Sequence, residues 1–85
     1  MELYMEMNAL SKKLRTAPSK EDDQASIREL IEKTEASKSP HAAKTVEGLL
    51  TAEAAILKGS FEKAATAIGT ASLLFRGGSA GTVGR

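Results

Sequence analysis

Few residues of this 85-residue chain could do chemistry. There is no cysteine, which excludes disulfides and thiolate metal ligands, and His41 is the single histidine. His41 follows Ser39-Pro40, a pair typical of the start of a helix. A catalytic or metal-binding histidine needs a second ligand or a nucleophile beside it, and none is near in the sequence. We therefore predict that His41 faces solvent at a helix N-terminus.

Three consecutive carboxylates occur at Glu21, Asp22 and Asp23. Such a cluster could bind a cation, but calcium-binding loops space their ligands around a glycine-shaped turn. Ser19 precedes the cluster at the position of a helix N-cap, and acidic side chains in the first helical turn interact favourably with the helix dipole. The cluster therefore indicates a capped, solvated helix start.

Two glycines before a serine, Gly77-Gly78-Ser79, also occur in phosphate-binding loops. Those loops require a preceding strand and a following helix with a lysine, and this segment has neither. Four of the nine residues from 77 to 85 are glycine, so the segment has little to bury. We predict a flexible tail over 77–85 and no cofactor.

Glu53 is a carboxylate placed on or beside an apolar helix face. Its neighbours along the helix include Leu49, Leu50, Ile56 and Leu57. Two interpretations remain open: Glu53 lies at the edge of the face and reaches solvent, or it meets a basic group of a partner and fixes the register of an interface. Because no nucleophile with a base and no set of metal ligands can be assembled, we expect a protein that is not an enzyme.

The elements that would position these residues are helices. Apolar residues recur at intervals of three and four throughout the chain, for example at Leu3, Met7, Leu10 and Leu14. The pattern predicts an all-α fold, a small bundle of about four helices at roughly 2–16, 20–36, 40–58 and 61–76, in a single domain over 1–76.

The last two helices are predicted to form an antiparallel hairpin. Gly59-Ser60 ends one helix and starts the next, and so short a turn brings the helices side by side. The third helix is apolar on more than one side, so something besides its hairpin mate must cover it. Gly48 within this helix costs about 1 kcal/mol relative to alanine and suits a position where another backbone approaches closely.

The hairpin over residues 48–73 resembles a single tetratricopeptide-type helix-turn-helix. The resemblance implies an α-hairpin that stacks on neighbouring helices and offers a concave protein-binding surface. The chain departs from the family pattern at Gly48, Thr51, Ala55 and Arg76, and it contains no second copy. The residues that carry the resemblance are Ala52, Gly59-Ser60-Phe61-Glu62-Lys63-Ala64, Ile68 and Ala71.

Charge and hydropathy narrow the possible partners. Twelve basic and eleven acidic side chains nearly cancel, whereas nucleic-acid-binding proteins usually carry a basic surplus. The last predicted helix carries only Lys63 and Arg76 as basic residues. The longest run of low charge, residues 64–75, is shorter than the ~20 residues that span a bilayer, and the N-terminus does not resemble a secretory signal. We expect a cytoplasmic protein without membrane insertion.

These observations favour a small protein–protein interaction module: an adaptor, a secretion-type chaperone or a regulatory inhibitor. It would bind a partner polypeptide or itself through an apolar helical face, and no small-molecule substrate is expected. Self-association is the simplest way to cover the surplus apolar surface of the third helix and to supplement a small, alanine-rich core. The alternative is a small nucleic-acid-associated regulator. The predicted partner-binding residues are Leu49, Leu50, Glu53, Ile56 and Leu57, with Met7 and Leu10 from the first helix.

Overall fold

The computed structural model describes residues 3–76. These residues form the predicted all-α bundle. Its four helices are α1 (Leu3–Thr16), α2 (Lys20–Ala36), α3 (Ala42–Leu57) and α4 (Phe61–Phe75). These residues contain no β-strand. The predicted flexible tail, 77–85, lies outside the described residues.

The four helices form a ring of antiparallel neighbours. The Ser11 Oγ of α1 donates a hydrogen bond to the backbone oxygen of Ala65 in α4 at 2.8 Å, and the Ser72 Oγ of α4 donates one to the backbone oxygen of Tyr4 at 3.3 Å. α3 and α4 share the most extensive contact, α4 also packs on α1, and α2 covers a second side of α3. The sequence-based expectation that α3 has a second cover is therefore confirmed, and α2 provides it.

The core is made of aliphatic side chains and alanines. The two phenylalanines, Phe61 and Phe75, pack only against its edge. A third of the core residues are alanines of α3 and α4, which let the axes of the hairpin approach closely. The buried apolar residues are Met7, Leu10, Leu14, Ile27, Leu30, Leu49, Ala52, Ile56, Ala64, Ala65, Ile68 and Ala71.

Gly48 lies where α4 packs closely against α3. A Cβ atom at this position would lie 3.0 Å from the Cβ of Ala71 and 3.6 Å from the backbone oxygen of Ala67. The backbone of α4 therefore lies close to Gly48, which is the condition under which the sequence suggested that a glycine is tolerated at this position. At Gly69 in α4 an added Cβ would meet no atom within 4 Å beyond its chain neighbours and the backbone of its own helix.

The turn between α3 and α4 is a Schellman motif. Gly59 has a φ of 80°, in the left-handed region. Its N–H donates to the oxygen of Ile56 at 2.9 Å, and the N–H of Ser60 donates to the oxygen of Ala55 at 2.8 Å. The predicted hairpin turn is confirmed, although Ser60 makes no side-chain cap hydrogen bond.

The start of α2 differs from the prediction, because Asp23 is fully buried. Its Oδ1 lies 2.8 Å from the Nζ of Lys13 in α1, and its Oδ2 accepts a hydrogen bond from the N–H of Ser19 at 2.8 Å. Ser19 itself makes no side-chain cap. The interpretation of the whole acidic cluster as solvated was therefore wrong for Asp23, which joins α1 to the start of α2, while Glu21 and Asp22 are exposed.

The start of α3 also differs from the prediction. Residues 39–42 form a turn, in which the N–H of Ala42 donates to the oxygen of Ser39 at 3.0 Å, with Pro40 at a position that proline favours. The Oγ of Ser39 accepts a hydrogen bond from the N–H of His41 at 3.1 Å. Regular helix therefore begins at Ala42, two residues later than predicted, and His41 is exposed, as expected.

Candidate functional site

The structure divides the seven predicted partner-binding residues between core and surface. Leu50 is 50% exposed and Leu57 is 47% exposed, whereas Glu53 lies at the boundary. A side chain with almost no exposed surface can contribute little contact to a partner while the bundle is closed. Four of the seven are therefore core residues that stabilise the fold: Met7, Leu10, Leu49 and Ile56.

Leu50 and Leu57 belong to an exposed stripe that runs along α3. Its members recur at intervals of four, three, four and three residues, which places them on one side of the helix. All five are exposed. We call this stripe the outer face of α3, and it consists of Ala43, Glu47, Leu50, Ala54 and Leu57.

Two shallow grooves border the outer face of α3. The groove toward α2 has a volume of about 190 Å³ and includes Ile31 and Leu50 among its lining. The groove toward α4 has a volume of about 240 Å³ and includes Ala54 and Lys58. Because each groove contains a residue of the outer face, the face is a ridge with a depression on either side, a shape that accommodates a second helix.

Glu53 pairs with a basic residue of its own chain. Its Oε2 lies 3.0 Å from the Nε of Arg28 in α2, and the Glu53 side chain is only 13% exposed against 69% for Arg28. The two atoms are close, but the donor is not aligned for a hydrogen bond, so the contact is an ion pair. Neither sequence-based interpretation of Glu53 anticipated this arrangement, which neutralises the carboxylate beside Leu50.

Another groove lies between α1 and α2 and has a volume of about 270 Å³. Leu10 and Leu30 line it and are nearly buried. The Nζ of Lys33 lies 3.0 Å from the Oε1 of Glu6, and this hydrogen bond and the charge of Glu6 raise the pKa of Lys33 above its usual 10.5. Since ion pairs from Lys33 and from Lys13 connect the two helices across this groove, we interpret it as a packing seam.

Within residues 3–76 the side chains do not assemble a metal site. No three His, Cys, Asp or Glu residues lie close enough to hold an ion in this part of the chain. Among the same residues, no helix has the length and apolar character needed to cross a membrane.

The spacing of Leu50, Ala54 and Leu57 was visible in the sequence, but the flanking residues Arg28 and Ile31 were not identified, because they come from another helix. The outer face of α3 is therefore the candidate site. No family model, curated protein or solved structure matches the chain. The tetratricopeptide-like pattern over 48–73 stays a prediction.

Proposed function

We propose that the protein is a small non-enzymatic interaction module that binds a helical segment of a polypeptide on the outer face of α3. The observation that carries the proposal is the pair of half-exposed leucines, Leu50 and Leu57, two turns apart on one ridge. Large apolar side chains exposed together on one surface are typical of protein-binding sites.

The shape of the site favours a helix as the bound element. The leucines are separated by the small Ala54, which lets a second backbone approach, and the two flanking grooves can receive side chains from either edge of a docked helix. Helices bound in this way present apolar residues at spacings of three, four and seven. An adaptor, a secretion-type chaperone and a regulatory inhibitor could all act through such a contact.

Site-directed photo-crosslinking in living cells tests the proposal. A photoreactive residue at position 54 should form covalent adducts with a polypeptide, and the double substitution Leu50→Ser with Leu57→Ser should abolish them. The matched control is the same photoreactive residue at the exposed position of Asn8, on α1, which lies across the bundle from α3. Equal adduct formation at both positions would contradict the proposal.

One observation favours a second candidate function, that of a nucleic-acid-associated regulator. The antiparallel topology places the ends of α1 and α3 beside the starts of α2 and α4, and exposed basic residues collect there. Acidic residues at the same end, such as Glu62, partly offset them. The basic residues at this end are Lys12, Arg15, Lys20, Lys58 and Lys63.

The second candidate predicts binding to duplex DNA of random sequence that weakens steeply as salt is added. Lys12→Gln combined with Lys20→Gln should reduce both the affinity and the salt dependence. Fluorescence anisotropy with a labelled duplex measures both. Absence of binding at low salt would eliminate this candidate and leave the protein-binding proposal unaffected.

A further inference from the structure

We infer that the helix bound on the outer face of α3 is the α3 of a second copy of this chain, docked antiparallel about a two-fold axis near Ala54. This inference rests on the proposed function and names its partner. It is carried by the symmetry of the exposed residues along α3 and by the positions of two charges on one flank.

The apolar residues are symmetric along the helix. In an antiparallel pair, Leu50 of one copy lies opposite Leu57 of the second copy, and the symmetry repeats that contact on the other side of the axis. Ala54, close to the axis, lets the two backbones approach. An isologous contact of this kind uses the same patch on both copies, so each copy covers the exposed leucines of the other.

Two charged side chains flank the leucines in complementary positions. Glu47 and Lys58 are both exposed and are eleven residues apart, about three helical turns, so they lie on the same flank of α3. Lys58 lines the groove toward α4, which identifies that flank. Neither side chain has an ion-pair partner within residues 3–76.

The two-fold axis brings these charges together. When two antiparallel helices are related by such an axis, the same flank of each meets the other, so Glu47 lies opposite Lys58 of the second copy, and this pairing occurs twice. The midpoint between Glu47 and Lys58 and the midpoint between Leu50 and Leu57 differ by one residue, a rise of about 1.5 Å. In a parallel pair about a two-fold axis along the helices, these flanks would lie on opposite sides of the contact, so Glu47 of one copy would not meet Lys58 of the other.

The size of the face indicates a weak dimer. Because the axis lies near Ala54, toward the C-terminal end of α3, the two copies overlap only between Glu47 and Lys58, so the contact is about 17 Å long. A surface of one helix and its flanks is smaller than the ~800 Å² per partner of a standard interface. We expect a weak dimer with a dissociation constant on the order of 10–100 μM.

Sedimentation equilibrium of the full chain tests the inference. The unmodified chain should show a monomer–dimer equilibrium, and Glu47→Lys or Lys58→Glu alone should weaken dimerisation about five- to tenfold. An equimolar mixture of the two variants should restore it, because every cross-copy pair in the mixed dimer joins opposite charges. Glu35→Lys and Lys12→Glu make the same charge changes at exposed positions outside the face and should leave dimerisation unchanged.

Three results would overturn the inference: a chain that stays monomeric at all concentrations, a dimer insensitive to both charge reversals, or a mixture that dimerises no better than the separate variants. Failure of the proposed function is distinguishable. If position 54 crosslinks to a different polypeptide while the chain stays monomeric, the outer face binds a partner that is not a second copy. If position 54 forms no adducts of either kind, both proposals fail.

Discussion

Gly48 in α3 and Gly69 in α4 should respond in opposite ways to replacement by alanine. Replacing a helix-interior glycine by alanine stabilises the helix by roughly 0.5–1 kcal/mol when the new methyl group has room. At Gly69 there is room, because no atom beyond its chain neighbours and the backbone of its own helix lies within 4 Å of an added Cβ. Gly69→Ala should therefore stabilise the fold by about that amount.

At Gly48 the same change should have the opposite sign. The added Cβ would lie 3.0 Å from the Cβ of Ala71, well inside the ~3.5–4.0 Å at which two carbons attract best. Ala71 is fully buried and has no rotamer to change, so the clash can be relieved only by moving α4 away from α3. Overpacking of this kind costs about 1–3 kcal/mol, which exceeds the helical gain. We expect Gly48→Ala to destabilise the fold by about 0.5–2 kcal/mol.

Urea and thermal unfolding followed by circular dichroism measure both variants. For a domain of this size each kcal/mol moves the melting temperature by about 4–8 °C, so the two variants should differ clearly. Adding Ala71→Gly to Gly48→Ala should remove the clash, so the double variant should be more stable than the sum of the single effects predicts. If Gly48→Ala stabilises as much as Gly69→Ala, the close approach of α3 and α4 is refuted.

Three further predictions concern α1, α2 and the turn after α2. Lys38 has a φ of 57°, so Lys38→Gly should raise the unfolding free energy by about 1 kcal/mol in urea titrations. Asp23→Ala should lower it by about 1–3 kcal/mol, because the Nζ of Lys13 and the N–H of Ser19 both lose their acceptor, whereas the exposed Asp22→Ala should change it by less than ~0.5 kcal/mol. Because Glu6 raises the pKa of Lys33 in the folded chain, their interaction stabilises the fold fully below the unfolded value of 10.5 and is lost as pH rises through the folded pKa. Across that alkaline range the free energy of unfolding should decline less for Glu6→Gln than for the unmodified chain. An identical decline in both would contradict the pairing of Glu6 with Lys33.

The proposed contact of α3 with a second copy would add apolar burial to a core that is poor in large side chains. Small domains bury a modest fraction of their surface, and alanines contribute little apolar area. Ala52, Ala64, Ala65 and Ala71 favour close helix packing and leave few large side chains inside. Leu50 and Leu57 remain outside the core, and covering them in a dimer would add apolar burial that the isolated bundle lacks.

The sequence by itself determined the four helices and the antiparallel hairpin of the last two. These features depend on local signals: the three-to-four spacing of apolar residues and the glycine in the turn. Each signal involves residues that lie close together in the sequence, so it can be recognised without knowing what packs against the helix.

Only the tertiary structure decided which side of α3 is covered. Leu49 and Leu50 are adjacent and chemically equivalent, yet Leu49 is fully buried and Leu50 is half exposed. In a helix that is apolar on several sides, no local signal selects the side that neighbouring helices cover. The crossing geometry of α2 and α4 selects it. The same reason applies to Glu53 and Asp23, whose ion-pair partners Arg28 and Lys13 come from other helices.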